Sequence, residues 1–134
     1  MVGPVVAFNG VALSSLGNGT EQKWYSDPAV WPLGRSTKYI QVSLYMTDFT
    51  ANGGGAATFA LYLQHSNDGK RWAAVETMII HANGTSGNYS GQYKMVMSTT
   101  DYGPYIRLVI GVKDSGTTTV QGLNAQVEVS GKPF

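Results

Sequence analysis

The chain has 134 residues, enough for one domain with a sizeable core, and only 13% of them are charged, about half of the roughly 25% in an average soluble domain. Net charge is +1 and the nine basic residues are dispersed, Lys70-Arg71 being the densest pair, so the basic stripe that a nucleic-acid binder needs is excluded. There is no cysteine, which excludes thiol nucleophiles and cysteine-ligated zinc, and no run approaches the roughly 18–20 apolar residues of a membrane-spanning helix.

Gly, Thr, Ser, Asn and Tyr take the place of the missing charges, a mixture that favours strands and turns. Residues 1–10 are apolar but broken by Gly3, Pro4 and Gly10, and no Lys or Arg precedes them. They read poorly as a signal peptide and, lacking a pattern, are expected to be an arm that orders on a partner. Short strands are expected at Val11-Ala12-Leu13 and from Gln22 to Tyr25, on either side of the Gly17-Asn18-Gly19 turn. Asp27-Pro28 and Trp31-Pro32 then impose extended backbone.

Period-2 alternation begins at Tyr39. Ile40, Val42, Leu44 and Met46 point inward, with Tyr39, Gln41, Ser43, Tyr45 and Thr47 outward. After the Asn52-Gly53-Gly54-Gly55 turn, Phe59, Leu61 and Leu63 repeat the device against Ala60, Tyr62 and Gln64. Ser66-Asn67-Asp68-Gly69 is expected to form a tight type I′ hairpin turn. The strand from Trp72 to Ile80 follows, with Trp72, Ala74 or Val75, Met78 and Ile80 contributing to the core. Asn83 to Asn88 is a longer loop, and strands are expected over 92–98 and 105–112. The second of these is apolar on both faces apart from Arg107, so it is expected to be central. Asp114-Ser115-Gly116 turns the chain into a last strand in which Leu123, Ala125, Val127 and Val129 alternate with Asn124, Gln126, Glu128 and Ser130. The expected fold is all-β: a single antiparallel β-sandwich of seven to eight strands over residues 11–134, jelly-roll or Ig-like, preceded by the arm at 1–10.

Attempts to build chemistry from the residues fail for want of parts. No Gly-x-Ser-x-Gly elbow exists, and His65 and His81 have no second His or carboxylate at metal-ligand spacing. Asn67-Asp68-Gly69 and Asp114-Ser115-Gly116 each offer one carboxylate, far short of a calcium cage, and turn chemistry explains both. Asn18, Asn83 and Asn88 open glycosylation sequons that a chain rich in Asn, Ser and Thr produces by chance. No enzyme activity, cofactor or metal is expected. Three tryptophans and eight tyrosines remain. Tyr39, Tyr45 and Tyr62, on outward faces, suit either sugar stacking or packing against a neighbouring subunit, with the subunit favoured.

The stretch from Leu61 to Trp72 contains Gln64-His65-Ser66-Asn67-Asp68-Gly69-Lys70-Arg71-Trp72, and downstream stand Tyr105-Ile106-Arg107-Leu108 and the turn Gly116-Thr117-Thr118-Thr119. With the opening at 12–20, these resemble small β-sandwich virion proteins of tailed bacteriophages, over most of residues 11–130. The residues from Asp27 to Pro32 and the Gly53-Gly54-Gly55 loop depart from that pattern. The resemblance implies a capsid decoration (cement) protein or a tail accessory domain. Such a protein is assembled in the host cytoplasm and sits on the outer capsid surface, bound to the major capsid protein as a homo-oligomer, often a trimer. Partner-binding residues are expected where aromatic or turn character lacks core periodicity: Val5, Phe8, Trp24, Tyr25, Trp31, Leu33, Asn52 and Gly54. The alternative is a carbohydrate-binding or host-adhesion module.

Overall fold

A computed structural model of the chain describes residues 2–13, 20–26, 39–47, 50–52, 56–83, 93–114, 119–121 and 123–132. Ten strands and no helix are found among them: β1 (Val2–Leu13), β2 (Gln22–Tyr25), β3 (Tyr39–Thr47), β4 (Thr50–Asn52), β5 (Ala56–Ser66), β6 (Ala73–Asn83), β7 (Tyr93–Thr99), β8 (Tyr105–Lys113), β9 (Thr119–Gln121) and β10 (Leu123–Lys132). Two four-stranded antiparallel sheets, ordered β1-β10-β3-β7 and β2-β8-β5-β6, form the sandwich, and β4 pairs with β9 apart from both.

With the short β4–β9 pair set aside, the eight sandwich strands number 1-8-3-6 in one sheet and 2-7-4-5 in the other. That interleaving, in which successive strands hop between sheets except at the β5–β6 hairpin, is the jelly roll and not the Ig arrangement. The core follows the alternation. Ile40, Val42, Leu44, Ala125, Val127 and Val129 of the first sheet meet Phe59, Leu61, Leu63, Ile106, Leu108, Ile110 and Val112 of the second, all of them essentially sealed from solvent. β8 runs between β2 and β5, as its two-sided apolar character requires.

Within the stretch expected to be an arm, residues 2–10 belong to β1 and pair with β10, Val5 opposite Val129 and Phe8 opposite Val127. Register shifts between Val2 and Val5, Val6 and Phe8, and Phe8 and Val11 explain why no period showed. Each bulge inserts a residue and flips the face that follows, so Val6 is exposed while Phe8, two residues on, lies in the core. The same bulges twist an outer strand of the sheet and blunt its open edge.

Candidate functional site

The face of the second sheet that points away from the core carries two clusters of polar and aromatic side chains. Parity places them there. With Trp24, Leu61, Leu63, Leu108 and Ile110 directed inward, Lys23, Tyr25, Tyr62, Gln64, Arg107 and Val109 must point out. Register then sets their neighbours: Tyr25 stands opposite Val109, Val109 opposite Tyr62, Tyr62 opposite Thr77, and Gln64 opposite Arg107.

Arg107 is the hub of one cluster. Its guanidinium carbon lies 4.4 Å from the Trp72 ring centre and 4.9 Å from that of Tyr25, within cation–π range of both. Its Nε donates a 2.7 Å hydrogen bond to Gln64 Oε1. Each partner is held in turn. Ser26 extends the β2–β8 pairing by one residue: its N–H donates to the Leu108 carbonyl and its hydroxyl accepts from the Leu108 N–H, both at 2.9 Å, which fixes the end of β2 beside Tyr25.

Trp72 is delivered by the turn before β6. Asp68 Oδ1 accepts from the N–H groups of Lys70 and Arg71 at 2.8 and 2.9 Å, and the Ser66 hydroxyl donates to it at 2.9 Å. These bonds hold the Asp68 carboxyl down at about 2, the Arg71 and Lys70 N–H groups contributing most. Gly69 supplies the positive φ, 75°, and lies against the Tyr105 ring. The expected two-residue type I′ turn is therefore corrected to a wider loop, since His65 pairs with Ala73 across seven intervening residues. Asp68 shapes it through side-chain bonds to backbone. Trp72, expected in the core, is half-buried over Arg107 instead.

A second cluster lies on the same face. Glu21 rests over Gly111, where a Cβ would stand only 2.8 Å from the carboxylate. Tyr62 donates its O–H to Glu21 Oε2 at 2.9 Å, and Lys23 Nζ lies 3.6 Å from Oε1. Burial raises the Tyr62 phenol above its ordinary value, and the Glu21 hydrogen bond and charge raise it further. Elsewhere, a cleft of about 410 Å³ is lined by His65, Asn67, Ala74, Val75, Asp101, Tyr102 and Gly103, with His65 Nδ1 accepting the Gly103 N–H at 2.8 Å. Among the described residues no three His, Cys, Asp or Glu side chains are grouped to hold a metal ion.

Of the residues expected to bind a partner, those described fall on β1, β2 and β4. Phe8 is corrected to a core residue, and Trp24 packs against the core from β2 because its parity is opposite to that of Tyr25. Tyr25 does belong to the outer face and is 54% exposed. Val5 falls within β1 and Asn52 within β4, paired with Thr119. Trp31, Leu33 and Gly54 lie outside the described residues. Tyr39 and Tyr45 are exposed on the first sheet and Tyr62 stands on the second, so these three tyrosines form no common platform. Arg107, Trp72 and Gln64 were not anticipated as site residues. The available signal was Arg107 itself, a lone charge inside an otherwise apolar interior strand.

Neither a family model nor a curated protein sequence matches the chain. Solved structures with similarity to it include three of unlike kind. The PBSX exported protein XepA aligns with 96% of this chain and 36% of its own, at 12% identity and a TM-score of 0.49. The VP2 subviral particle of infectious bursal disease virus aligns with 97% and 32% at 16% identity and 0.49. The CBM22-1–GH10 modules of Clostridium thermocellum xylanase 10B align with 81% and 19% at 14% identity and 0.44. The chain thus spans about a third or less of the length of these proteins, and the likeness is one of fold alone.

Proposed function

We propose that this chain is a non-enzymatic virion protein that decorates a tailed-phage capsid, docking on the major capsid protein as a homo-oligomer, with a trimer the expected state. The observation that carries the docking role is the outer face of the β2-β8-β5-β6 sheet. There Tyr25, Trp72 and Arg107 are locked against one another, and Tyr25 and Ile79 are both more than half exposed. Tyr, Trp and Arg are the residues over-represented at binding hot spots, and a stack already formed in the free protein needs little ordering on contact. The virion setting is supported by the resemblance at Gln64 to Trp72 and Tyr105 to Leu108. Several copies acting together would give avidity from modest single contacts.

The test is co-sedimentation of the purified chain with expanded heads of the phage that encodes it, together with light scattering of the free protein. The proposal expects saturable occupancy and a mass of three 14.3 kDa chains. A monomer that ignores the heads overturns it. Carbohydrate binding is the second reading, favoured by the exposed Tyr25 ring on a face that also presents Gln64. It predicts glycan-array signals lost on Trp72→Ala, and not on Trp24→Ala, since Trp24 faces the core.

A further inference from the structure

The guanidinium of Arg107 is arranged for a ligand of definite chemistry. Trp72 and Tyr25 lie against it at 4.4 and 4.9 Å, and its Nε is tied to the neutral amide of Gln64 at 2.7 Å. The ion pairs among the described residues, Lys23–Glu21 and Arg71–Asp68, do not include it. Among the described residues no partner bonds its pair of terminal nitrogens, whose N–H groups lie in the guanidinium plane. The ligand that matches an in-plane fork of two parallel donors is a carboxylate, taken bidentate.

We infer that the Tyr25–Arg107–Trp72 stack is a carboxylate-recognition site, and that its occupant is an Asp or Glu side chain on the protein this face docks against. This rests on the docking role proposed above. Charge complementarity selects the carboxylate, because the fork is cationic and the Glu21 charge nearby is already engaged by Tyr62 and Lys23. The surroundings select a protein over an acidic sugar. Tyr25 and Ile79, the latter opposite Ala60 in the β5–β6 register, add exposed aromatic and apolar surface on the same face, the mixture that protein interfaces enrich around an arginine. Contact with both rings and the Gln64 bond already limit the Arg107 side chain, so less rotamer freedom is left to lose when an acid arrives.

The experiment uses the full chain labelled with 15N, following the Arg107 Nε–H and Trp72 indole signals while acetate, N-acetyl-glutamate amide, acetamide or galacturonate is added. Saturable shifts with acetate and the glutamate derivative, and none with acetamide, support the site. Arg107→Lys keeps the charge and removes the fork, and is expected to weaken binding about tenfold or more. Tyr25→Leu, on an outer strand where folding is less at risk, is expected to weaken it several-fold by freeing one face of the stack. Absence of any shift, or equal shifts in Arg107→Lys, overturns the inference. Galacturonate binding far above acetate overturns the protein occupant, and an oligomer that dissociates in Arg107→Lys assigns the acid to a second copy and overturns the docking partner as its source. Because these probes need no capsid, failure to bind heads and failure to bind carboxylates are read separately.

Discussion

Adding a single methyl group at Gly111 tests how the outer face is held together. In Gly111→Ala the new Cβ would lie 2.8 Å from both Cδ and Oε2 of Glu21 and 3.2 Å from its Cγ. The obstacle is the end of a flexible side chain, so Glu21 swings away and the strand stays. The Tyr62 O–H bond and the Lys23 contact leave with it. A hydrogen bond to a charged acceptor contributes ~1.5–3 kcal/mol, the lower end applying here because Glu21 is only partly buried. The exposed ion pair adds ~0.5 kcal/mol, and replacing Gly by Ala within a strand returns ~0.5–1 kcal/mol. The net loss is about 1–1.5 kcal/mol. Tyr62→Phe removes the same hydrogen bond from the other side and costs about 1.5 kcal/mol by the same reasoning. The two together are expected to fall short of their sum by on the order of 1 kcal/mol, since one bond cannot be lost twice. Urea denaturation at neutral pH, with an unchanged m-value, measures all three. The Tyr62 phenol, raised by burial and by Glu21, should also titrate lower in Gly111→Ala. Strict additivity with an unmoved Tyr62 titration would refute the arrangement.

Three further outcomes follow from the fold. Phe59 lies fully buried in β5 between the sheets, so Phe59→Ala should cost about 3–5 kcal/mol in urea denaturation, and a loss below about 1 kcal/mol would contradict its place in the core. Ser26→Ala leaves the Leu108 N–H without its acceptor at a buried position, for about 1–3 kcal/mol, and Leu108 should then exchange its amide hydrogen faster than its β8 neighbours. Asp68 is held at about 2 against an ordinary 3.8, so its contribution is complete above the ordinary value and is lost as pH falls toward 2. In Asp68→Asn the stability curve between about pH 4 and 2 should therefore be flatter than in the parent, and parallel curves would contradict the turn geometry.

Strands that obey strict alternation could be read directly from the sequence. Ile40, Val42, Leu44 and Met46 in β3, and Ala125, Val127 and Val129 in β10, point where their period requires. β1 could not, because its bulges change parity three times within twelve residues. The choice between jelly roll and Ig was also closed to sequence. Both are built from the same half-buried strands, and only the pairing of β1 with β10 and of β2 with β8, across the length of the chain, separates them.

The candidate site was hidden for a related reason. Trp24 and Tyr25 are adjacent aromatics, and only the parity of a four-residue strand decides which one enters the core and which faces outward. Arg107 and Gln64 are 43 positions apart, and Trp72 reaches Arg107 only because the loop between β5 and β6 ends where it does. Each member therefore has a bland local explanation: a turn-end tryptophan, a strand glutamine, a charge interrupting an apolar run. What distinguishes them is lateral register, which places Arg107 beside Gln64 on neighbouring strands and within reach of two rings. A lone arginine in an interior strand has either to reach solvent or to be wrapped. Here it lies within cation–π range of Tyr25 and Trp72 and is bonded through Nε to Gln64, and the proposed carboxylate would take its terminal nitrogens.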